Sequence, residues 1–330
     1  MSLLKVINLS KQHSNGLHIN NINFEQQQFK KLAIAGESGA GKTTLLKIIS
    51  GYVQPNLGKI LFNGKAVVGP NEKLLPGHNE IAYLSQHYEL LNNYKVEDLI
   101  WFENKLPKTE STELFEVCQI SHLLQRKTDQ LSGGEKQRIA LCMLLVKSPK
   151  LLLLDEPFSN LDLIHKQTLK KVLANITSKL QITCTLASHD PQDILSWADE
   201  ILVMNNGQII QQGTPQQIYY EPINEYVAGL FGKYNLITAE QVKRLFNNIN
   251  LPHNKNHILI RPEQICITPT DNAHCIASII NISFWGSYYQ VELKIDDLNL
   301  TINVLSKKNE IGDVVGLEIN NQVLFVAKDI

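Results

Sequence analysis

Arginine is scarce in this 330-residue chain: of 31 basic residues only Arg126, Arg138, Arg244 and Arg261 carry a guanidinium, and the rest are lysines. Any phosphate the protein handles is therefore met mostly by lysine and backbone N–H groups, since the planar guanidinium fork is rarely available. A surplus of positive charge is also missing, because 32 acidic residues bring the net charge to -1. That excludes a nucleic-acid binder working by broad phosphate neutralisation, which needs a basic face. Cysteine pairs are absent too. Cys118, Cys142, Cys184, Cys266 and Cys275 are odd in number, scattered and without a CxxC. They form no disulfide framework, and a reducing cytosol is the expected compartment. No apolar run approaches the roughly 20 residues that span a bilayer. The opening MSLLKVINLSKQ alternates like a strand and lacks the apolar segment of a signal peptide, so work at a membrane is expected to go through another subunit. Apolar content, by contrast, is not low. At 43% apolar and 19% charged the chain is globular rather than disordered, and its length suggests two domains.

What is present reads first as alternating strand and helix. Residues 3–9 and 32–35 read as strands, the second leading straight into GESGAGKTT, and TTLLKIISG as a helix capped by Gly51. KILFNG and IAYLSQ are strand fragments, residues 88–130 read as mostly helical with a break at Pro107, and LSGGEKQRIALCMLLVKSP as a helix ending at Pro149. LLLLD is a continuous apolar run, the pattern of a strand buried on both faces of a parallel sheet. A helix over 163–180, the strand ITCTLASH, the helix DPQDILSWADE and an Asn-Gly hairpin in ILVMNNGQIIQQG follow. This alternation predicts an α/β domain with a largely parallel sheet. From HILIRPEQICITP onward the pattern changes to short alternating strands, which predict a small barrel or sandwich. The expected division is residues 1–234 and 235–330, with a helical subdomain at 88–150 inside the first.

Three motifs carry chemistry. Gly36-Glu37-Ser38-Gly39-Ala40-Gly41-Lys42-Thr43, followed by Thr44, fits G-x-x-x-x-G-K-[ST] between an apolar strand and a helix start. Its glycines let backbone N–H groups turn inward around the β- and γ-phosphates, Lys42 reaches the same phosphates, and the Thr43 hydroxyl suits Mg²⁺. Asp155-Glu156 closes the LLLLD strand at its C-terminal edge, where open α/β sheets bind ligands. An Asp-Glu pair there is commonly a solvated turn. Beside a phosphate loop, Asp155 suits Mg²⁺, held directly or through an intervening group, and Glu156 suits the base that orients an attacking water. Leu131-Ser132-Gly133-Gly134-Glu135-Lys136-Gln137 opens a helix with free N–H groups and a hydroxyl, a second anion site. One γ-phosphate does not need two such sites in one chain, but a head-to-tail dimer does.

In this order and context the sequence resembles the ATP-binding cassette family across nearly its whole length. The phosphate loop at 36–43 resembles Walker A, Gln86 in YLSQ the Q-loop glutamine, and LSGGE the signature. LLLLDEP resembles Walker B, Ser159-Asn160-Leu161-Asp162 the D-loop, and His189 in ASHD the switch histidine. The resemblance implies ATP with Mg²⁺ as cofactor, two copies of the chain sandwiching two ATP molecules, and Glu156 as general base. It also implies that His189 contacts the γ-phosphate, that Gln86 senses Mg²⁺ and a membrane partner, and that Ser132 and Gly134 close on ATP from across the dimer. Adenine would be stacked by the residue at His13, where the family usually has a larger aromatic.

Ile260-Arg261-Pro262-Glu263 with Phe284-Trp285-Gly286 resembles the small OB-like (TOBE-type) domain appended to ATPase subunits of bacterial importers. The implied setting is the cytoplasmic face of the cell membrane, beside permease subunits and, indirectly, a periplasmic or extracellular solute-binding protein. The implied cargo is ferric iron or a polyamine. A soluble cassette ATPase of translation or DNA repair is disfavoured, since those proteins usually carry two cassettes or a coiled-coil insert, and an exporter subunit is disfavoured by the tail. Three further expectations concern single residues. Met143 stands where the family typically places an arginine. Arg138 and Arg261 are expected to make planar, multi-donor contacts. His253, His257, His274, Cys266 and Cys275 are expected not to form a metal site, the cysteines alternating as strand core.

Overall fold

Every residue of Leu151–Asp155 is buried, as the unbroken apolar run requires of a strand covered on both faces. In the computed structural model, which describes residues 2–12, 18–86, 88–159, 161–245, 257–319 and 325–326, this strand lies inside a six-stranded sheet. The order is Gln208–Gly213, Glu200–Asn205, Lys31–Ala35, Thr183–Ser188, Leu151–Asp155 and Ile81–Leu84. The last five are mutually parallel, and the first pairs antiparallel with its neighbour through the Asn206-Gly207 turn. Both turn residues have positive φ, 46° and 75°, as a two-residue hairpin demands. A second, antiparallel sheet runs His18–Gln27, Ser2–Gln12, Leu57–Phe62 and Lys65–Ala66.

The core forms where these two sheets close on the helix Lys42–Ile49. Leu45, Leu46, Ile48 and Ile49 of that helix pack with Leu32, Ile34, Leu151, Leu153 and Leu202 from the parallel sheet and with Leu4, Val6, Phe24 and Phe62 from the antiparallel one. Residues 88–130, read as mostly helical, resolve into Val96–Glu103 and Lys108–Val117 with short 3₁₀ turns at Ser121–Leu123 and Thr128–Gln130, and the helix read in LSGGEKQRIALCMLLVKSP is Gly133–Leu145. DPQDILSWADE is helical only over Pro191–Ile194. The Asp199 N–H then binds the Lys31 carbonyl at 2.9 Å, which starts the next parallel strand and ends the helix early.

Contacts divide the chain into Met1–Pro215 and Gln216–Ile330, so the expected boundary at 234/235 falls inside the second unit. That unit holds helices Glu225–Phe231 and Ala239–Leu245, which the alternating pattern of the tail did not suggest. Its strands form a five-stranded antiparallel sheet, Ile265–Thr268, Val314–Ile319, Cys275–Phe284, Tyr289–Ile295 and Leu298–Val304, and a three-stranded one, Asn235–Thr238, His257–Ile260 and Phe325–Val326. These antiparallel sheets are in keeping with an OB-like domain. Arg261 ties residues 219–233 to it. Its Nη1 donates to the carbonyls of Ala228, Gly232 and Lys233 at 2.9, 3.0 and 3.1 Å, and its Nη2 to Tyr219 at 2.9 Å. Cys266 departs from expectation: it is exposed, and its neighbour Ile265 fills the core instead, whereas Cys275, half-buried on the same strand face as Ala277, packs against that core.

Candidate nucleotide-binding site

Lys31–Ala35 delivers the chain to the loop 36–41, and the loop feeds the helix Lys42–Ile49. Gly41 stands at the helix N-cap with φ 102°, a conformation closed to side-chain-bearing residues, and its carbonyl accepts the first helical bond from Leu45 N at 2.9 Å. Lys42, 6% exposed, folds back over the loop: Nζ donates to the carbonyls of Gly36 at 2.8 Å and Glu37 at 3.1 Å. The same ammonium lies 3.3 Å from Glu156 Oε1.

Glu156 follows strand Leu151–Asp155 with φ 48°, a left-handed conformation that costs a non-glycine residue of order 1–3 kcal/mol and is characteristic of functional turns. Its N–H is held by the Ala187 carbonyl at 2.9 Å, which aims the carboxylate back at the loop. Its second oxygen meets His189 Nδ1 at 2.9 Å. One carboxylate thus joins the lysine of the loop to the histidine at the end of Thr183–Ser188.

Asp155 lies one residue earlier and is 1% exposed. Both its oxygens are satisfied: the Thr43 hydroxyl donates to Oδ1 at 3.0 Å and the Tyr83 hydroxyl to Oδ2 at 2.8 Å. Burial pushes the Asp155 carboxyl up, and the two hydroxyl donors work against that shift. Burial, and after it the charge of Asp155, pushes the Tyr83 phenol up, so its hydroxyl stays a donor. Paired hard oxygens of Thr43 and Asp155 at this spacing fit Mg²⁺.

Ser38, Gly39, Gly41, Lys42, Thr43 and Thr44 line one side of a cavity of about 220 Å³, and Gln86, Glu156 and His189 line the other. Gly36, Glu37 and Ala40 shape the loop without lining the cavity, and Asp155 sits behind Thr43. His13 lies outside the described residues, as do Asn160 and His253. Among the described residues no group of three His, Cys, Asp or Glu side chains could hold a metal ion.

The signature residues do not reach this cavity. Leu131 is buried, whereas Ser132 and Gly133 are exposed at the start of helix Gly133–Leu145. Ser132 and Glu135 form a reciprocal cap: Glu135 N donates to Ser132 Oγ at 3.3 Å, and Ser132 N donates to Glu135 Oε2 at 2.8 Å. Gln137 donates to the Pro157 carbonyl just beyond Glu156. Asp162 caps helix Leu163–Lys179, accepting from His165 N at 3.0 Å and meeting His165 Nδ1 at 2.6 Å. The His165 ring in turn presses on Gly134, where an added Cβ would sit 2.5 Å from its Cδ2. Arg138 is buried, but its Nε lacks a partner among the described residues, so the multi-donor contact expected there is found only at Arg261. Sequence reasoning missed Tyr83 and His165. Tyr83 lies three residues before Gln86, but nothing in that spacing points to Asp155.

Fold and site together define a phosphate-loop ATPase, and known proteins narrow the class. Residues 19–159 match the ABC transporter family. The chain is 32% identical to the spermidine/putrescine import ATP-binding protein PotA of Clostridium acetobutylicum, across 96% of this chain and 94% of that protein. It is 31% identical to the Fe(3+) ions import ATP-binding protein FbpC of Yersinia pestis, across 99% of this chain and all of that one, 100%. Among solved structures, cbiO1 from Clostridium perfringens, part of the ABC transporter complex cbiONQ, shares 29% identity at a TM-score of 0.57, covering 66% of this chain and 90% of that chain. The chain belongs to the ABC transporter family as one of its import ATP-binding subunits, and such subunits are ATPases.

Proposed function

We propose that the protein hydrolyses Mg-ATP as a head-to-tail homodimer at the cytoplasmic face of the cell membrane and drives permease subunits that import a polyamine or ferric iron. The observation that carries the hydrolytic part is the convergence of Lys42, Glu156 and His189 on one cavity. The γ-phosphate enters between Lys42 and Glu156, where the ammonium and the loop N–H groups balance its charge. Glu156 takes a proton from a water that attacks the γ-phosphorus, ADP leaves, and His189 steadies the phosphoryl oxygens. Thr43, Asp155 and Gln86 would hold Mg²⁺, which would supply positive charge against the phosphates.

The dimer is supported by the position of the signature. Ser132 Oγ accepts the Glu135 N–H, which leaves its own proton to donate, and Ser132 with Gly133 is exposed away from the chain's own cavity. A second copy supplies the phosphate that this helix end fits, and Asp162 lies beside it. Docking to a permease is supported by a groove lined by Tyr52, Leu75, Pro76, His78, Tyr83 and Lys105, at the edge of the helical subdomain expected over 88–150. Leu74 and Phe102, sequence neighbours of the lining residues Lys73, Leu75 and Glu103, are exposed at 98% and 90%. No helix among the described residues is long and apolar enough to cross a membrane. The cargo is supported by the relatives, named for import of spermidine/putrescine and of Fe(3+).

Deleting the gene and measuring uptake of radiolabelled spermidine and of ferric iron tests the reading. One of the two uptakes is expected to fall and to return with the wild-type chain but not with Glu156→Gln. Unchanged uptake of both would remove the cargo. Failure of the tagged protein to leave membranes together with a permease would remove the partnership.

A further inference from the structure

The cavity chemistry leaves one hydrogen bond unexplained. Tyr83 belongs to strand Ile81–Leu84, parallel to and beside Leu151–Asp155, and its hydroxyl is 2.8 Å from Asp155 Oδ2. It does not line the nucleotide cavity. It lines a separate groove together with Tyr52, whose ring centroid lies 6.0 Å away. Tyr52 in turn packs within 3.0–3.3 Å of the position a Cβ at Gly77 would take. Gly77 is tied to Gly51 by a backbone bond of 3.2 Å and accepts from Lys73 Nζ at 2.9 Å. The segment that carries exposed Leu74 and Leu75 therefore rests on Tyr52, Tyr52 lies against Tyr83, and Tyr83 holds the carboxylate that holds Thr43.

We infer that Tyr83 is a positioning residue for the metal–nucleotide site: its hydroxyl fixes the rotamer of Asp155, so that the carboxylate keeps one oxygen on Thr43, and its ring gives the groove a direct mechanical hold on that carboxylate. The inference rests on the ATPase reading and adds a residue outside the cavity to it. The physics is that of outer partners of metal sites. A carboxylate oriented by a hydrogen bond presents its free lone pairs in one direction, and loss of that partner typically weakens metal binding 10- to 100-fold. Asp155 is buried, so loss of the phenol leaves its carboxylate to rotate or to keep an oxygen without its protein partner, and both are costly. A purely structural tyrosine would act through its ring. Here the hydroxyl is the acting group, and the two are separable.

The test uses the full-length protein with a non-hydrolysable ATP analogue and Mn²⁺ as the probe metal, followed by electron paramagnetic resonance. Tyr83→Phe keeps the ring and removes the donor. It is expected to bind the analogue without metal as the wild type does and to bind Mn²⁺ in the analogue complex roughly 10- to 100-fold more weakly. In steady-state hydrolysis the Mg²⁺ concentration for half-maximal rate rises by a similar factor, with the rate at saturating Mg²⁺ much less affected. Tyr83→Met, apolar and differently shaped, is expected to lose the same metal affinity, which keeps the test valid if one variant folds poorly. Mn²⁺ affinity within twofold of wild type in either folded variant overturns the inference. A wild-type protein that binds the analogue but no Mn²⁺ overturns both this inference and the magnesium reading, whereas normal wild-type binding with unchanged variants overturns this one alone.

Discussion

Glu156 combines a left-handed backbone, a lysine on one oxygen and a histidine on the other. The amide of Glu156→Gln keeps the size and the histidine contact but cannot accept a proton. Turnover is expected to fall by on the order of 10²–10⁴ while ATP affinity holds, as for the loss of a general base. Single-turnover hydrolysis beside nucleotide-binding calorimetry checks this, and a variant near the wild-type rate would remove Glu156 from the base role. Lys42, Thr43 and Glu156 were legible because each sits at a fixed offset from a glycine or from the end of an apolar run. Tyr83 was not. Its partner Asp155 is 72 residues away in the chain, and the pair exists only because Ile81–Leu84 runs parallel to Leu151–Asp155 with Leu84 opposite Leu154. A sequence shows that both strands are buried but not which strand lies beside which.

At the scale of elements, the start of the signature helix is fitted to its neighbour. Gly134 has no room for a methyl group because the His165 ring, held by Asp162, occupies that space. Alanine is the better helix former by about 1 kcal/mol, but overpacking typically costs about 1–3 kcal/mol, so the clash is expected to win. Gly134→Ala is therefore destabilising. Adding His165→Ala removes the obstacle and returns the stability to wild-type level or above. Thermal unfolding of the two single variants and the double variant gives the coupling directly, and simply additive losses would show that the ring does not control the site. Arg261 is the counterpart in the second unit. Its guanidinium spans carbonyls of four residues and stacks on Tyr219 with Cζ 4.2 Å from the ring centre. Lysine offers a point charge in place of this fork, so Arg261→Lys leaves buried carbonyls unpaired at roughly 1–3 kcal/mol, read by urea denaturation. A change below about 0.5 kcal/mol, the range of ordinary surface substitutions, would reduce its role to packing. The importance of this arginine was legible from its rarity. Its partners were not, because helix Glu225–Phe231 has no periodic signal long enough to identify.

At the scale of the molecule, the proposed head-to-tail dimer makes a prediction that no single-chain site can imitate. If each nucleotide lies between one copy's Lys42–Glu156 cavity and the other copy's Ser132–Gly134 helix end, lesions in the two motifs should complement. Glu156→Gln inactivates the cavity half, and Ser132→Arg blocks the signature half, since Ser132 is exposed and the larger side chain can stand where phosphate is needed. Each variant alone builds only defective sites. In a mixed dimer both lesions fall in one site, and the other joins an intact cavity to an intact helix end. With equal amounts, random exchange and independent sites, half the dimers are mixed and activity recovers to about one quarter of wild type, as two-fold symmetry dictates. Two further readings separate this from contamination: recovery should grow with exchange time and should vanish on dilution below the dimer's dissociation constant. Activity no greater than the sum of the separate variants would place both motifs on one nucleotide within one chain. The exposed helix end of Gly133–Leu145 would then need another phosphate to explain it.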